Sequence, residues 1–315
     1  MGAPTTHDHH AAELGPPAVV EVADGVFAYV QPDGSWWINN TGFLVGRKGV
    51  VAIDTCSTER RTRALLGAIA GVSDQPVRTL VNTHHHGDHT NGNSLLPDAT
   101  IIGHARCREA MLRSPIGAAS AVFPGIEWGD VELSPPFVTF ESRLDLHVDD
   151  LRVEVHYIGV PAHTVGDAVA WLPSESVLFA GDLVFNGGTP FVLMGSVAGA
   201  LAALDRVREL GAETIVPGHG DVCGPEGVDV VAGYLRFIQA TAAAARAAGL
   251  SPLDAAREAD LGEYADLLDA ERLVGNLHRA YAELDGAAPG DPIDVGAAFA
   301  DMVAYNGGRP LRCLA

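Results

Sequence analysis

The sequence predicts an α/β (α+β) fold in which two β-rich halves, each covered by helices, are related by a rough internal repeat. The first observation is that the order strand, turn, strand, helix, strand occurs twice along the chain. The second is that residues able to bind metal ions follow the strands at matching places, with Asp54 matching Asp182 and His84 matching His219. Because helices cover the faces of a sheet, the loops of both halves are expected to converge on one edge.

Hydrophobic periodicity and turn residues define the elements of each unit. In the first unit the predicted elements are a strand, turn and strand over 42–54, a helix at about 58–70 and a strand at 77–81. In the second unit they are strands at 168–172 and 177–180 around a turn at 173–176, a helix at about 198–210 and a strand at 214–216. Beyond Gly227 apolar residues recur at a spacing of three and four, which predicts helices at about 228–248, 268–284 and 294–304.

Composition argues against several classes of partner. With 315 residues and 47 % hydrophobic content, the chain can bury a large core. The formal net charge is −20 and Lys48 is the single lysine, so no binding to nucleic acid is expected, because that binding depends on clustered Lys and Arg. The sequence has no run of about 18 apolar residues and no export signal in its first 17 residues, so we expect a cytoplasmic protein without membrane association. The pattern specifies no oligomeric state.

We assign no functional role to the cysteines or to the N-terminal histidines. Cys56, Cys107, Cys223 and Cys313 form no C-x-x-C pair, which predicts reduced, inert thiols in a reducing compartment. Residues 1–16 are expected to form a flexible tail, so the cluster His7, His9 and His10 is interpreted as part of a mobile terminus.

The segment Thr83-His84-His85-His86-Gly87-Asp88-His89 carries the strongest chemical signal, an H-x-H-x-D-H spacing just after a predicted strand. In extended chain, residues two apart project to the same side, so His84 and His86 can bind one ion while His85 points away. Asp88 and His89 follow where the chain is expected to turn into a helix, and they can bind a second ion close to the first.

The second half supplies the remaining candidate ligands. His163 lies just ahead of a predicted strand, and Asp182 and His219 lie just after two others. Each residue alone would be interpreted as structural, but together with the first segment they give five histidines and two aspartates at strand ends. Imidazole and carboxylate ligands suit two Zn²⁺ ions, and Fe or Mn also fits such a mixed site.

The ordered series from Asp54 to His219 resembles the motif set of the metallo-β-lactamase superfamily over about residues 17–225. The resemblance implies a four-layer αββα sandwich, with a catalytic domain at 17–226 and a helical C-terminal extension at 227–315 packed on the same domain. It also implies two ligand sets joined by a bridging Asp182: His84, His86 and His163 for the first ion, and Asp88, His89 and His219 for the second.

Departures from particular branches of that superfamily narrow the expected activity. True β-lactamases place Cys or Ser at the position of Asp182, which argues against antibiotic hydrolysis, and flavodiiron-type oxygen reductases carry Glu at the position of His86. Acyl-homoserine lactonases have Tyr where this chain has Phe185. The basic residues with which hydroxyacylglutathione hydrolases hold glutathione have no obvious match in the C-terminal helices.

The ligand types predict a binuclear hydrolase. Two adjacent ions that share a water lower its pKa from 15.7 to about 7, so a bridging hydroxide could attack an ester, thioester, lactone or amide. Asp88 and Asp182 are the expected catalytic residues, and Asp54 is expected to hold a ligand through a hydrogen bond. Alternatives left open are a polyketide-type thioesterase or cyclase, a mononuclear iron dioxygenase acting on persulfides, and a non-catalytic metal-binding relative.

Substrate selection is expected to come from aromatic residues near the metal ligands. Trp36 and Trp37 follow the turn 32–35 near a predicted hairpin tip, where they form either a flap over an apolar small-molecule substrate or one core and one surface ring. Phe185 is a further candidate for the pocket. Residues 111–137 have no clear period and are predicted to be a long loop that forms another wall.

Overall fold

Two β-sheets face each other at the centre of the computed structural model, which describes residues 14–315. The first sheet has seven strands in sequence order: β1 (Ala18–Ala23), β2 (Val26–Val30), β3 (Thr41–Gly46), β4 (Gly49–Ile53), β5 (Val77–Asn82), β6 (Thr100–His104) and β7 (Val138–Phe140). The second sheet has five strands, in the order β12, β11, β10, β9, β8: β8 (Arg143–Val148), β9 (Leu151–Tyr157), β10 (Ala168–Leu172), β11 (Val177–Asn186) and β12 (Thr214–Gly220).

The eight helices of the described chain lie mainly outside the two sheets: α1 (Glu59–Val72), α2 (Gly87–Thr90), α3 (Ala105–Arg113), α4 (Val197–Leu210), α5 (Glu226–Ala247), α6 (Pro252–Glu258), α7 (Arg272–Leu284) and α8 (Val295–Tyr305). Leu65 and Ile69 of α1 pack on Phe43 of the first sheet. Leu204 of α4 and Leu235 of α5 belong to the core on the outer face of the second sheet. The layers are therefore helix, sheet, sheet, helix, as predicted.

Strand pairing confirms the internal repeat. In the first unit β3 and β4 form an antiparallel hairpin, α1 follows, and β5 returns parallel to β4. In the second unit β10 and β11 form the antiparallel hairpin, α4 follows, and β12 returns parallel to β11. The carboxyl ends of β4, β5, β11 and β12 consequently supply the polar segments that the sequence singled out.

The structure corrects two predicted strand ends. The sequence predicted that the strands would stop at Ala180 and Val216, the second before a loop at 217–220, yet β11 continues to Asn186 and β12 continues to Gly220. Gly181 and Gly220 have positive φ angles of 51° and 88°, so glycine here lets the strands continue through an irregular stretch.

The C-terminal helices are present, with two differences from the prediction. Helix α7 begins at Arg272, four residues later than expected, and the short α6 was not predicted. The loop predicted at 111–137 begins later, because α3 continues to Arg113; residues 114–137 form the long connection, interrupted by a short 3-10 turn at Ala118–Ala121. Among the described residues, no helix combines the length and apolar character that a membrane span requires. Residues 1–13, with His7, His9 and His10, lie outside the described residues.

Candidate metal centre

The structure gathers the predicted ligands into two adjoining groups at the carboxyl ends of the strands. Strand β5 ends at Asn82, the chain runs through the histidine segment, and α2 presents Asp88 and His89 from its first turns. Within each group the ligand atoms all lie within 4.8 Å of one another. The first group is His84, His86, His163 and Asp182, and the second is Asp88, His89, Asp182 and His219. His85 belongs to neither group.

Asp182 is the member common to both groups, and an irregularity in β11 places it there. Gly181 pairs with Pro217 and Phe185 pairs with His219, so β11 carries two more residues than β12 over the same stretch. Such a bulge re-aims side chains, and here it turns Asp182 toward the histidines. A Cβ at position 218 would lie 1.9 Å from Asp182 Oδ1, so only glycine leaves room for this carboxylate.

The carboxylate of Asp182 reaches both groups. Its Oδ2 lies 3.2 Å from His163 Nε2 and 3.8 Å from His84 Nε2, and its Oδ1 lies 3.0 Å from His89 Nε2. His219 Nε2 lies 3.4 Å from Asp182 Oδ2 and 3.3 Å from Asp88 Oδ2. One carboxylate therefore has an oxygen near the imidazoles of each group.

Hydrogen bonds outside the two groups orient three of the imidazoles. His163 Nδ1 donates to the Phe191 carbonyl oxygen, and His219 Nδ1 lies 3.0 Å from the Gly34 carbonyl oxygen. His89 Nδ1 lies 2.8 Å from Asp54 Oδ2. Each partner accepts a hydrogen bond from Nδ1–H, so the Nε2 lone pair is the one directed at the group.

Asp54 supports two ligands at once. Besides His89, its carboxylate accepts hydrogen bonds from the Thr83 amide, at 2.8 Å, and from the Thr83 hydroxyl, at 2.6 Å. That hydroxyl lies 3.0 Å from His84 Nδ1. Asp54 is buried and has a φ angle of 60°, a conformation that a non-glycine residue adopts at a cost in free energy. The structure thus brings Asp54 to the hydrogen-bonding position that the sequence suggested.

Replacing Asp54 with asparagine is expected to lower the affinity for metal by about 10- to 100-fold, the usual effect of losing a residue that orients a ligand. The amide would place N–H groups against the N–H donors of Thr83 and His89. Competitive titration with a zinc chelator measures the change. Asp149→Asn is the matched control, because Asp149 has a similar φ of 52° on the surface. Equal zinc affinity in the wild type and in Asp54→Asn would contradict the role of Asp54.

The donor atoms fit a metal site. Within residues 14–315, three buried atoms that face the two groups have no hydrogen-bond partner: His84 Nε2, His89 Nε2 and Asp182 Oδ1. An unsatisfied buried polar atom costs about 1–3 kcal/mol, so three together need an explanation. Coordination of metal ions satisfies all three, and His86 presents its Nδ1 to the first group, 2.8 Å from His163 Nε2. Imidazole nitrogen and carboxylate oxygen are ligands suited to zinc.

The electrostatics of the cluster favour added positive charge. Burial lowers the pKa of His84 and of His86 well below the usual range, so both imidazoles are neutral, the form that binds metals. Burial alone would raise the pKa of Asp182, but the nearby imidazoles, first that of His219, hold it well below its usual range. Burial opposes protonation of His219 as well, yet Asp182 and Asp88 raise its pKa to about 9.

A cavity of ≈ 820 Å³ opens directly onto the two groups. Trp36 and Trp37, in the loop 31–40 that joins β2 to β3, both contribute to its wall. Trp36 packs against Phe123 and Phe191, while Trp37 is half-buried. The two interpretations of the tryptophans each hold in part. The Trp36 ring belongs to the core, as the structural interpretation expected, and both rings line the cavity, as the substrate-flap interpretation expected.

Phe185 lies between the metal centre and this wall. Its ring stacks on the imidazole of His219, with centroids 5.1 Å apart and planes inclined by 4°. The Arg272 guanidinium lies 5.3 Å from the Phe185 ring and 4.1 Å from the Trp36 ring. Phe185 thus joins a ligand to the aromatic wall.

Sequence reasoning missed the part of the wall that comes from distant segments. Phe191, Arg272 and Phe299 all line the cavity, and no local motif marks them. Asn276 and Arg279 of α7 face another way and bind the main chain at Pro190 to Leu193, which anchors the segment containing Phe191. The helical spacing that predicted α7 could not show which of its faces meets the cavity.

The fold and this His/Asp centre define a class of metal-binding α/β proteins, and comparison with known proteins identifies the family. The family model of the metallo-beta-lactamase superfamily matches residues 34–219. A hydroxyacylglutathione hydrolase of Rhodospirillum rubrum is 31 % identical over 223 residues, covering 69 % of this chain and 75 % of that protein. A type 2 metallo-beta-lactamase of Bacteroides fragilis is 25 % identical over 218 residues, covering 66 % and 81 %. The chain belongs to the metallo-β-lactamase superfamily.

Solved structures agree on the fold. The metallo-beta-lactamase from Pontibacter korlensis superposes with a TM-score of 0.58 at 20 % identity, covering 70 % of this chain and 99 % of that one. With a hydroxyacylglutathione hydrolase and metallo-beta-lactamases among its relatives, the chain is a metallo-hydrolase of this fold. The family match ends at residue 219, so helices α5 to α8 lie beyond it.

Proposed function

We propose that the protein is a binuclear zinc hydrolase that cleaves an ester, thioester, lactone or amide of a small, apolar substrate. The observation that carries the proposal is the pair of His/Asp groups sharing Asp182 at the edge of a large cavity. His84, His86 and His163 would hold the first ion, and Asp88, His89 and His219 the second. Asp182 would bridge them.

The chain's own residues would then position the reactants. When bound, two zinc ions supply Lewis acidity for the carbonyl oxygen and a water whose pKa is about 7. Asp88 lines the cavity and lies 3.3 Å from His219, so its carboxylate can ligate and also accept a hydrogen bond from the attacking water. Asp182 offsets the charge of two adjacent dications. Phe185, Trp36 and Trp37 keep bulk water from the reacting carbonyl.

The apolar wall also favours the subtype of a polyketide-type thioesterase or cyclase. The resemblance to the superfamily implies Cys or Ser at the position of Asp182 in true β-lactamases, so β-lactams are not the substrate we propose. The four cysteines, all within the described residues, are free thiols, which supports the proposal that the enzyme works in a reducing compartment such as the cytoplasm.

Metal analysis together with a substrate panel tests the proposal. Purified protein is expected to hold two zinc ions per chain and to hydrolyse at least one member of a panel of esters, thioesters, lactones and amides. Chelation should remove this activity and added zinc should restore it. One iron per chain, with oxygen consumed in the presence of a persulfide, would identify an iron dioxygenase and overturn the proposal.

A further inference from the structure

Helix α8 has two different faces. Ala298 and Met302 are fully buried in the core on the outer side of the second sheet. Phe299, Ala300 and Val303 lie on another face and line the cavity beside the metal centre. Residues spaced by three and four along a helix share a face, so this second face is a continuous wall.

That wall completes a ring of aromatic side chains opposite the metal ligands. The Phe299 ring centroid lies 6.3 Å from the ring centroids of Trp36, Phe123 and Phe191. Trp36 and Phe191 meet edge to face at 5.1 Å, and Trp37 meets Phe123 in the same way at 5.8 Å. We call the space bounded by these five rings and α8 the aromatic chamber.

One wall of the aromatic chamber lies outside the segment matched by the family model. Helix α8 begins at Val295, well beyond residue 219 where that match ends. The metal centre and four of the five rings come from the matched segment, while Phe299 and its neighbours on α8 come from outside it. The wall that α8 contributes is therefore a feature of this chain that the family match does not account for.

Charge further limits what the chamber can hold. Apart from the ligand groups, the charged side chains that reach the cavity from the described residues are Arg113, Glu132 and Arg272. Arg113 and Glu132 are exposed, and Arg113 has no ion-pair partner among residues 14–315. Arg272 is the cation that packs on the rings, 4.1 Å from that of Trp36, and it is buried and already paired with Asp269 at 2.9 Å. An anionic group placed against these rings would therefore meet a cation that is already neutralised, and the net charge of −20 would repel it.

We infer that the aromatic chamber binds the non-reacting part of the substrate, and that this part is an uncharged group of at least two aromatic rings. A cavity of roughly 150 Å³ is enough for one benzene ring, so ≈ 820 Å³ accommodates a multi-ring group beside the reacting carbonyl. Trp36, Phe123 and Phe191 are buried against one another, while Trp37 and Phe299 are only half-buried and leave ring surface for edge-to-face contact with an aromatic guest. This inference rests on the proposed function for the reaction itself, but binding to the chamber can be measured without turnover.

The binding test uses the neutral probe N-phenyl-1-naphthylamine. Trp36 and Trp37 line the chamber and Trp128 lies 4.9 Å from Trp37, so three of the four tryptophans report on an occupant by quenching of their fluorescence. The probe is expected to bind both zinc-loaded and zinc-free protein, with quenching that saturates at one probe per chain. A probe of similar size carrying a carboxylate is expected to bind at least tenfold more weakly.

Two matched variants locate the site. Ala300 is exposed and lines the chamber, so Ala300→Phe fills the space without disturbing the core. Ala297 is exposed on the same helix but is not a cavity residue, so Ala297→Phe is the control. Ala300→Phe is expected to weaken probe binding at least tenfold and to lower the ratio of 2-naphthoyl to acetyl ester hydrolysis by a similar factor. Ala297→Phe is expected to change neither.

The outcomes distinguish a failure of the inference about the aromatic chamber from a failure of the proposed hydrolase function. Equal probe affinity in Ala300→Phe and Ala297→Phe, or tighter binding of a long alkyl alcohol than of the naphthyl probe, would overturn the inference. Hydrolysis of acetyl esters without any probe binding would overturn it while the proposed function stands. Probe binding that responds to Ala300→Phe, in a protein that hydrolyses no carbonyl compound, would support the chamber and refute the proposed reaction.

Discussion

Replacing Asp182 with alanine is expected to abolish turnover and to lower the metal content of the purified protein. The carboxylate has one oxygen near each ligand group, 3.2 Å from His163 Nε2 and 3.0 Å from His89 Nε2. Without it, two adjacent dications would repel each other across a buried space with no negative charge between them. Zinc analysis and assay of the best substrate, both after gel filtration in metal-free buffer, measure the effect.

The control for Asp182→Ala is His85→Ala. His85 is buried within the same segment and its ring centroid lies 4.7 Å from that of His86, yet it belongs to neither ligand group. We expect His85→Ala to keep the full metal content. If His85→Ala loses a metal ion while Asp182→Ala keeps its activity, the ligand assignment is wrong.

Replacing Trp37 with alanine is expected to lower kcat/KM by roughly 5- to 150-fold on the best substrate, because burying an indole face against an apolar group contributes about 1–3 kcal/mol. The metal content is expected to stay unchanged. The loss should shrink as the acyl group is shortened, since a small substrate does not reach the ring. Steady-state kinetics on a series from acetyl to aromatic acyl groups measure the dependence.

Phe137→Ala is the control for Trp37→Ala, because the Phe137 side chain is 85 % exposed and is not a cavity residue. An equal loss of kcat/KM for acetyl and for aromatic substrates would show that Trp37 supports the fold and does not select the substrate.

Trp36→Ala is expected to give a loss in the same range, with an additional structural component. Trp36 Nε1 donates a 2.8 Å hydrogen bond to Glu271, just before α7, and the Arg272 guanidinium packs on its ring. Truncation therefore also loosens the contact between the loop 31–40 and α7. Trp36→Phe retains an aromatic face without the indole N–H, so comparing the two variants by kinetics and thermal unfolding separates the two components.

The grouping of the candidate ligands could be predicted from the sequence because most of them stand close together in the chain. His84, His86, Asp88 and His89 occupy a fixed spacing within one segment, and the repeat pointed to Asp182 and His219 as their counterparts. Two signals in the sequence, the periodicity of the strands and the chemistry of the ligand residues, are enough to make that prediction. The predicted strand ends were wrong because close packing requires glycine within the strands here: a Cβ at Gly181 would meet the Thr83 side chain, and a Cβ at Gly220 would meet the Asn186 carbonyl oxygen.

The wall of the cavity could be predicted only in part from the sequence. Trp36, Trp37 and Phe185 stand near ligands or turns and could be proposed from the sequence, while Phe299 and Arg272 could not. Helical periodicity shows that α7 and α8 have buried faces, but tertiary packing decides which face meets which partner. That information lies in contacts between residues more than two hundred positions apart, such as Trp36 and Glu271.

Two histidine ligands take their orientation from main-chain carbonyl oxygens, those of Phe191 and Gly34. These same two segments carry aromatic side chains into the aromatic chamber, Phe191 itself and Trp36. A carbonyl oxygen belongs to every amino acid, so a change of side chain at Trp36 or Phe191 leaves the acceptor in place, whereas Gly34 itself has a φ of 82° and no room for a Cβ beside Gly220. Evolution or protein engineering can therefore change the aromatic side chains that select the substrate without altering the hydrogen bonds that orient the histidines. This arrangement is consequently tolerant of new substrates.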